Sequence, residues 1–274
     1  MLSKVYLGFI VEFKNEIGRL QRLVSAGSAG ISRRQAVLEA LIINPNDHII
    51  DIGCGAGDLL IHLAKAIDNH GHVYGLDPSE DQINNANIKC AEFKNITFLR
   101  STADKINLPD KTCNIATSTQ TFEYINDIDE VLIEIKRLLK PRAKFLNIST
   151  LWDYYRFHGP EKKLNDLMHD VFKEHCSHQM VPTFLNGRLK NLGFKDIKTT
   201  ELAYVFTKRD ENSFAKYAET LIANFALSKG VEKEKVSEWQ KQIKKAEENG
   251  RFCFTSIPVS VSYTHLTLPT NREV

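Results

Sequence analysis

A short apolar run followed by three closely spaced glycines is the feature that most constrains this fold. Residues 48–60 read HIIDIGCGAGDLL, which predicts a buried strand, a glycine turn and the start of a helix. Further strands are predicted at residues 72–77, 96–101, 114–119 and 144–150, with helical segments among them. Strands that alternate with helices at this spacing form a parallel sheet with helices on both faces, so we predict an α/β fold.

The alternation stops after Thr150. Residues 151–192 are rich in aromatic and histidine side chains and predict a helical insertion, whereas 195–208 and 251–260 predict two further strands. Apolar residues at helical spacing in residues 1–24 predict an N-terminal helix. The predicted divisions are a helical cap at 1–32, a main domain with its insertion at 33–261, and a tail at 262–274.

The tail reads SYTHLTLPTNREV and has no helical period. It follows the predicted last strand and resembles the translated adapter sequence found at the ends of some metagenome-derived reading frames. We predict a non-native or disordered tail and assign it no function.

Composition narrows the possible partners. The chain has 274 residues, 42% hydrophobic and 26% charged, and its net charge of +2 gives no electrostatic case for nucleic acid or an anionic membrane. No apolar run approaches the roughly 20 residues of a membrane span, and the opening MLSKVYLGFIVEF does not fit a signal peptide. The five cysteines are scattered without a CxxC pair, which is typical of reduced thiols. We expect a cytoplasmic protein, monomeric or homodimeric, that binds neither membrane nor nucleic acid.

The glycine turn could serve one of three cofactor classes. A phosphate-binding P-loop needs a Gly-Lys-Ser/Thr sequence that is absent here. The nicotinamide fingerprint GxGxxG fits Gly53 and Gly55, but the next glycine is Gly57, and Asp58 stands where the third should be. Asp51 precedes the glycines, and carboxylates on both sides of the turn disfavour a pyrophosphate. A cofactor with a cationic end and no phosphate is compatible with both the glycine spacing and the flanking carboxylates.

S-adenosylmethionine is such a cofactor, because it carries an ammonium, a sulfonium and a ribose with two free hydroxyls. Asp77 ends the second predicted strand, where its carboxylate can accept hydrogen bonds from both ribose hydroxyls. The alternative is that Asp77 only caps the following helix, which Pro78 would help to start.

Four segments, in order, carry a family resemblance. They read DIGCGAGDLL (51–60), YGLDPSEDQINNA (74–86), STADKINLPDKTCNIATS (101–118) and EVLIEIKRLLKPRAKFLNIST (130–150). Together they resemble the class I S-adenosylmethionine-dependent methyltransferases of small-molecule type. The resemblance implies a Rossmann-like, seven-stranded, mostly parallel, doubly wound sheet with helices on both faces and a helical cap.

The resemblance also implies the cofactor-binding residues, each by its position in a motif. Some would contact the methionine moiety, one the ribose, and the others would contact or flank the adenine. These residues are Asp51, Gly53, Cys54, Gly55, Gly57 and Gln120 for methionine, Asp77 for ribose, and Pro78, Gln82, Thr102, Ala103 and Asp104 for adenine.

Methyl transfer from a sulfonium is an in-line displacement that alignment can drive without a metal. A base helps only where the acceptor loses a proton, and His158 and His178 of the insertion are the candidate bases. Glu123 and Tyr124 follow the fourth strand, where family members often place residues near the methyl group. The histidines of the insertion match no standard metal spacing, so we predict no metal.

The acceptor is predicted to be a small organic molecule methylated at O, N or C. Two alternatives stay open: a non-catalytic S-adenosylmethionine-binding scaffold and an RNA methyltransferase. Nucleobase enzymes of this kind carry an Asn/Asp-Pro-Pro-aromatic motif after the fourth strand, where residues 119–122 read TQTF. The glycine spacing disfavours a third class, the nicotinamide dehydrogenases.

Overall fold

The computed structural model describes residues 15–68, 70–210 and 213–265 of the chain. The α-helices there are α1 (Asn15–Ala26), α2 (Ser28–Ala40), α3 (Asp58–Ala66), α4 (Glu80–Lys89), α5 (Ile128–Leu138), α6 (Lys162–Phe172), α7 (Val181–Asn191), α8 (Phe214–Ser228) and α9 (Lys233–Glu248). The strands are β1 (His48–Ile52), β2 (His72–Leu76), β3 (Ile96–Leu99), β4 (Cys113–Thr119), β5 (Leu139–Thr150), β6 (Arg156–His158), β7 (Phe194–Glu201), β8 (Tyr204–Phe206), β9 (Cys253–Ser256) and β10 (Pro258–His265).

The main sheet has seven strands in the order β3-β2-β1-β4-β5-β10-β7. The pairs among β1 to β5 are parallel, and β10 runs antiparallel to both β5 and β7. The prediction of a seven-stranded, mostly parallel, doubly wound sheet is confirmed. The strand order reverses between β1 and β4, and ligands in open α/β sheets bind beyond the carboxyl ends of the strands at such a point.

Helices cover both faces of the main sheet, so both faces are buried. Alternate side chains of each strand point to opposite faces and therefore enter different cores. In β1, Ile49 belongs to the core formed with α2 and α3, and Ile50 belongs to the core formed with α5 and α7. The helix α5 begins after Asp127, whose side chain accepts hydrogen bonds from the backbone N–H groups of residues 129 and 130. Its apolar positions fall on one side and are buried: Ile128, Val131, Leu132, Ile135 and Leu138.

A second core lies in the cap. The strands β6, β9 and β8 form a small antiparallel sheet, and helices α6, α8 and α9 share its aromatic core. Trp239 is fully buried there, with Phe157 and Phe254. The cap is therefore not only helical, and residues of β8, α8, α9 and β9 that were predicted in the main domain belong to it.

Two predicted strands are each split between the sheets. Residues 195–208 form β7 in the main sheet and β8 in the cap, and residues 251–260 form β9 in the cap and the first part of β10 in the main sheet. A continuous segment of strand-forming residues looks the same whether or not the chain changes sheet within it, so the sequence pattern alone could not show the breaks.

The domain boundaries also differ from the predicted ones. The helix α2 crosses residue 32, with Ala29 in the cap core and Val37 in the main core. The helix α7 lies within the predicted insertion but packs on the main sheet through Leu185. The strand β10 runs to His265, and Tyr263 is buried against Phe145 with ring centroids 6.0 Å apart. The predicted tail therefore starts too early, and residues 1–14 and 266–274 lie outside the described residues.

Among the described residues, no helix is both long and apolar enough to cross a membrane.

Candidate active site

A cavity of about 690 Å³ opens at the carboxyl ends of β1, β2 and β4. Its floor comes from the loops that follow these strands, and its roof comes from α1, α2, α8 and the 3-10 turn at Trp152–Tyr154. This volume lies within the range of small-molecule sites. The cavity lies at the switch point of the main sheet, between the sheet and the cap.

The glycine loop forms the edge of the cavity next to β1. Gly53, Gly55 and Gly57 have φ angles of 75°, 52° and 82°, which side-chain-bearing residues rarely adopt. A Cβ on Gly53 would collide with the side chain of Thr121, whereas a Cβ on Gly55 would meet nothing within 4 Å. Gly55 thus lets a ligand approach the backbone, and Gly53 lets the loop after β4 approach it.

Asp77 ties the loops after β1 and β2 together. Its Oδ2 accepts a hydrogen bond of 3.0 Å from the Gly55 N–H, and its Oδ1 accepts one of 2.9 Å from the Ser79 N–H. The carboxylate is 9% exposed and lines the cavity. Burial raises the pKa of Asp77, and the two backbone hydrogen bonds oppose that shift. The helix α4 is capped by Ser79 rather than by Asp77, which leaves Asp77 able to serve a ligand.

Asp51 is the second buried carboxylate of the cavity floor. Its Oδ1 accepts a hydrogen bond of 2.8 Å from the Thr117 hydroxyl, and the residue is 3% exposed. Burial raises the pKa of Asp51 to about 7, the hydrogen bond from Thr117 opposes the shift, and the negative charge of Asp77 adds to it. A cation placed beside Asp51 would therefore be strongly favoured.

Gln120 sits at the end of β4 in a left-handed conformation with φ of 53°. Its N–H donates to the Ile148 carbonyl at 2.7 Å, and its side-chain amide donates to the Thr150 hydroxyl at 2.9 Å. A non-glycine residue in this region is costly and is kept at functional sites. The two hydrogen bonds offset this strain and hold Gln120 on the cavity lining.

These features fit the cationic cofactor inferred from the sequence. Among the described side chains, no lysine or arginine forms an ion pair with Asp51 or Asp77. The hydroxyl of Thr119, also on the cavity lining, has no hydrogen-bond partner among the described atoms. Two buried carboxylates, a half-buried glycine backbone and an unpartnered hydroxyl suit an ammonium and a ribose better than a phosphate.

Most of the predicted cofactor-binding residues meet in this cavity, and four do not. Gly57 packs closely against Cys90 instead of lining the cavity, since a Cβ there would lie 3.0 Å from the Cys90 sulfur. The predicted adenine loop does not line the cavity either: Ala103 packs in the main core, and Asp104 is exposed. The residues that line the cavity are Asp51, Gly53, Cys54, Gly55, Asp77, Pro78, Gln82 and Gln120, and those that do not are Gly57, Thr102, Ala103 and Asp104.

Cys54 contributes its backbone rather than its thiol. Its sulfur lies 3.7 Å from the Gly55 carbonyl oxygen, and burial raises the pKa of the thiol well above its usual value. A thiol held protonated is neither a nucleophile nor a base.

The two candidates after β4 separate in the structure. Tyr124 lines the cavity, whereas Glu123 does not and is fully buried. Glu123 accepts hydrogen bonds from the Thr150 N–H at 2.8 Å and the Ser149 hydroxyl at 3.3 Å, so it ties the turn after β4 to the end of β5. Its placement corrects the prediction that it stands next to the methyl group.

We expect Glu123→Gln to stabilise the protein at pH 8 and to change stability little at pH 5. Burial raises the pKa of Glu123 to about 7 from its usual 4.5. Because this acid is harder to ionise when folded, stability falls as the pH rises from about 4.5 to 7. Removing the charge should add about 3 kcal/mol to the free energy of unfolding at pH 8, and under about 1 kcal/mol at pH 5.

Urea titrations at both pH values measure this difference. The matched control is Glu174→Gln, which removes an exposed carboxylate that pairs with Lys229 on the surface. An equal effect of Glu123→Gln at both pH values would show that it acts through packing rather than through charge.

The histidine candidates lie outside the cavity. His158 is exposed on β6, and its Nε2 lies 3.3 Å from the Thr255 hydroxyl. His178 packs its ring against Phe184, with centroids 5.8 Å apart. The prediction of a base at His158 or His178 is not supported, because neither side chain lines the cavity.

Of the aromatic residues at the start of the insertion, two line the cavity and two do not. Trp152 and Tyr155 line the cavity, but Tyr154 is 53% exposed and Phe157 is buried in the cap core. Among the described residues, no group of three or more His, Cys, Asp or Glu side chains is arranged to hold a metal.

Two sets of cavity residues escaped the sequence analysis. Arg33 on α2 is buried and faces the cavity, although SRRQAVLEAL gives no sign that Arg33 differs from Arg34. Phe214, Tyr217 and Leu221 on α8 also line it. Their spacing of three and four residues predicts one helix face, but not what that face covers.

The fold is that of an α/β protein with a cavity at the switch point of its sheet. The family model of a methyltransferase domain matches residues 43–251. The chain belongs to this family, and the resemblance to the methyltransferases found in the sequence is confirmed.

Curated relatives match over part of their length. The ubiquinone/menaquinone biosynthesis C-methyltransferase UbiE of Rickettsia akari is 31% identical over 131 residues, which make up 43% of this chain and 53% of that protein. An uncharacterized 37.1 kDa protein in transposon TN4556 of Streptomyces fradiae is 24% identical over 174 residues, 64% of this chain and 49% of that protein. The chain thus spans about half the length of these curated relatives.

Solved structures share the fold. The YcgJ protein of Bacillus subtilis has a TM-score of 0.62 at 14% identity, over 87% of this chain and 100% of that one. Phosphoethanolamine N-methyltransferase 2 of Haemonchus contortus, solved with S-adenosyl-L-methionine, has a TM-score of 0.60 at 18% identity, over 94% of this chain and 61% of that one.

Proposed function

We propose that this protein transfers a methyl group from S-adenosylmethionine to an O, N or C atom of a small organic acceptor. The observation that carries the proposal is the pair of buried carboxylates, Asp51 and Asp77, beside the glycine loop at the switch point. Membership of the methyltransferase-domain family supports the reaction, and the Haemonchus relative was solved with the same cofactor.

The proposed cofactor site uses the floor of the cavity. Asp51 and the backbone of Gly53 and Gly55 would hold the amino acid end, with Gln120 beneath it. Asp77 would accept the ribose hydroxyls, because its remaining lone pairs face the cavity while Gly55 and Ser79 fix its orientation. Pro78 and Gln82 would flank the adenine, and Thr102, Ala103 and Asp104 stay proposed contacts that lie outside the present cavity lining.

The proposed mechanism relies on alignment. When bound, S-adenosylmethionine supplies an electrophilic methyl group that an acceptor atom takes by in-line displacement. The cap covers the floor with Trp152, Tyr155 and Phe214, and these side chains would exclude water and press the acceptor towards the glycine loop. Near the glycine loop, Tyr124 would orient the acceptor with its hydroxyl. Burial raises the pKa of Tyr124 well above its usual value, so its phenol donates a hydrogen bond and does not act as a base.

We propose that the protein is located in the cytoplasm. We also propose that it is a monomer or a homodimer and does not bind nucleic acid. All five cysteines are free thiols, and Cys54, Cys90, Cys113 and Cys176 are buried, as suits a reducing compartment.

The function is tested by incubating the protein with labelled S-adenosylmethionine and a small-molecule extract of cells. We expect release of S-adenosylhomocysteine and transfer of label to a molecule that passes a filter retaining macromolecules. A parallel sample contains total RNA in place of the extract. Calorimetry that detects no binding of either cofactor form would overturn the proposal.

The other outcomes select the alternatives. Binding without turnover in extract favours the non-catalytic scaffold. Label in RNA, with binding that weakens steeply as salt rises, favours an RNA methyltransferase.

A further inference from the structure

Arg33 is a buried cation on the roof of the cavity. The residue is 7% exposed and lies on α2, in the part of the helix that crosses from the cap to the main domain. Its Nε donates a hydrogen bond of 3.1 Å to the Ala29 carbonyl, one turn earlier. The rest of the guanidinium faces the cavity and lies 5.4 Å from the centre of the Phe214 ring.

No carboxylate neutralises this cation. Among the described side chains, none forms an ion pair with Arg33. The negative charge of Glu123 acts on Arg33 from a distance, but that carboxylate is already held by Thr150 and Ser149. The ring of Phe214 offers only a cation–π contact, which is weaker than an ion pair.

A buried arginine without a counter-ion is expensive, because burial removes the hydration of its charge. That burial lowers the pKa of Arg33, although the guanidinium stays charged at neutral pH. The sequence could place a methionine or leucine here at no such cost. A ligand that supplies the missing negative charge explains why the arginine is present.

Arg33 and the proposed cofactor-binding floor of the cavity interact with different charged groups. The groups that act on Arg33 are Tyr204, Tyr155, Tyr217 and Glu123, all in or under the cap. The negative charge of Asp77 acts on Asp51, and Arg33 is not among the groups that shift the pKa of either carboxylate. The cavity thus has an acidic floor for a cation and one buried cation in its aromatic roof.

We propose that Arg33 binds an anionic oxygen group, a carboxylate or a phosphate, on the methyl acceptor. The apolar or aromatic body of the acceptor would lie against Trp152, Tyr155 and Phe214. This inference rests on the proposed function, since it names the class of acceptor. The planar guanidinium suits both groups, because its parallel N–H bonds match two oxygens of a carboxylate or phosphate.

The test measures binding of simple probes, with and without S-adenosylhomocysteine. Benzoate, phenyl phosphate and the uncharged methyl benzoate are titrated while tryptophan fluorescence is recorded. Of the two tryptophans, Trp152 lines the cavity and Trp239 is fully buried in the cap core, so Trp152→Phe identifies the signal from the cavity. We expect an anionic probe to bind at least about tenfold more tightly than methyl benzoate.

Variants assign that preference to Arg33. In Arg33→Met, which keeps an unbranched apolar stem and removes the guanidinium, we expect the preference to vanish while calorimetry shows unchanged affinity for S-adenosylhomocysteine. Arg33→Lys should keep part of the preference for anionic probes, because lysine retains the positive charge but lacks the planar guanidinium that donates two parallel hydrogen bonds. The matched control is Arg251→Met, which removes an exposed arginine outside the cavity and should leave all affinities unchanged. Circular dichroism checks the fold of each variant, and the comparison of probes in the unaltered protein needs no variant.

Each result decides the question. Preference for benzoate or for phenyl phosphate supports the proposal, and the tighter probe identifies the group. Equal binding of charged and uncharged probes overturns it. Loss of S-adenosylhomocysteine affinity in Arg33→Met also overturns it, since Arg33 would then hold the carboxylate of the cofactor. If the unaltered protein prefers the anionic probes but never binds S-adenosylhomocysteine, the proposed function fails and the anion site stands.

Discussion

We expect Asp77→Ala to weaken the binding of S-adenosylhomocysteine by about 100-fold or more, as measured by calorimetry. Two ribose hydroxyls donating to a buried carboxylate form charge-assisted hydrogen bonds, each worth about 1.5–3 kcal/mol. About 3 kcal/mol in total already corresponds to a factor of about 100 in the dissociation constant. The variant also leaves the N–H groups of Gly55 and Ser79 without their acceptor, which loosens the loop that shapes the site.

Two further variants separate these effects. Asp77→Asn keeps one acceptor oxygen for the loop and loses the charge, so we expect it to retain the fold and still bind weakly. Asp170→Ala is the matched control, because Asp170 forms an exposed ion pair with Lys173 that contributes little to stability. Unchanged affinity in Asp77→Ala would assign Asp77 to loop structure alone and remove the main support for the proposed cofactor site.

We expect the affinity for S-adenosylhomocysteine to fall about 30-fold between pH 8 and pH 5.5, through the titration of Asp51. The ammonium of the ligand needs the ionised carboxylate, and burial raises the pKa of Asp51 to about 7 in the free protein. Above that value the carboxylate is ready to bind. Below it, each pH unit lowers the affinity by up to about tenfold, because a proton must leave before the ammonium can bind.

Asp51→Asn should abolish most of this pH dependence and bind weakly throughout. Glu123→Gln provides the control, since burial also raises the pKa of Glu123 to about 7 but the residue lies outside the cavity lining. The pH dependence should persist in that variant. If it disappears in Glu123→Gln and persists in Asp51→Asn, the assignment of the ammonium to Asp51 is wrong.

The two ends of the cavity predict opposite selectivities. Asp51 and Asp77 make the floor favourable for a cation, while Arg33 makes the roof favourable for an anion. An acceptor that carries negative charge would therefore be drawn to the roof and away from the acidic floor. This division would keep the acceptor from competing for the cofactor site.

The floor of the cavity was largely predictable, because its residues are adjacent in the sequence to the strands that position them. The loop after β1 needs glycines for its left-handed φ angles, and this requirement is visible as the spacing of Gly53, Gly55 and Gly57. Asp77 follows β2 directly, and neighbouring parallel strands bring their carboxyl ends together. The place of the predicted adenine loop was not predictable in this way, because Ala103 packs into the main core instead of lining the cavity.

The roof of the cavity, where we propose that the acceptor binds, was not predictable in the same way. The histidines of the insertion suggested a base, but neither His158 nor His178 lines the cavity. The cavity roof instead uses Arg33 and α8, which are separated by some 180 residues of chain. Helical spacing shows that a face is apolar, but it does not show which partner the face covers.

The sequence by itself determined the α/β class, the positions of the first five strands along the chain and the residues that follow β1 and β2. These depend on local patterns, namely apolar runs of strand length, glycines at special φ angles and carboxylates at strand ends. Only the tertiary structure decided that the last two predicted strands each divide between two sheets, that Glu123 is buried beside β5, and that Arg33 faces the cavity. These outcomes depend on contacts between distant segments, where burial and charge compensation act across space and leave no period in the chain.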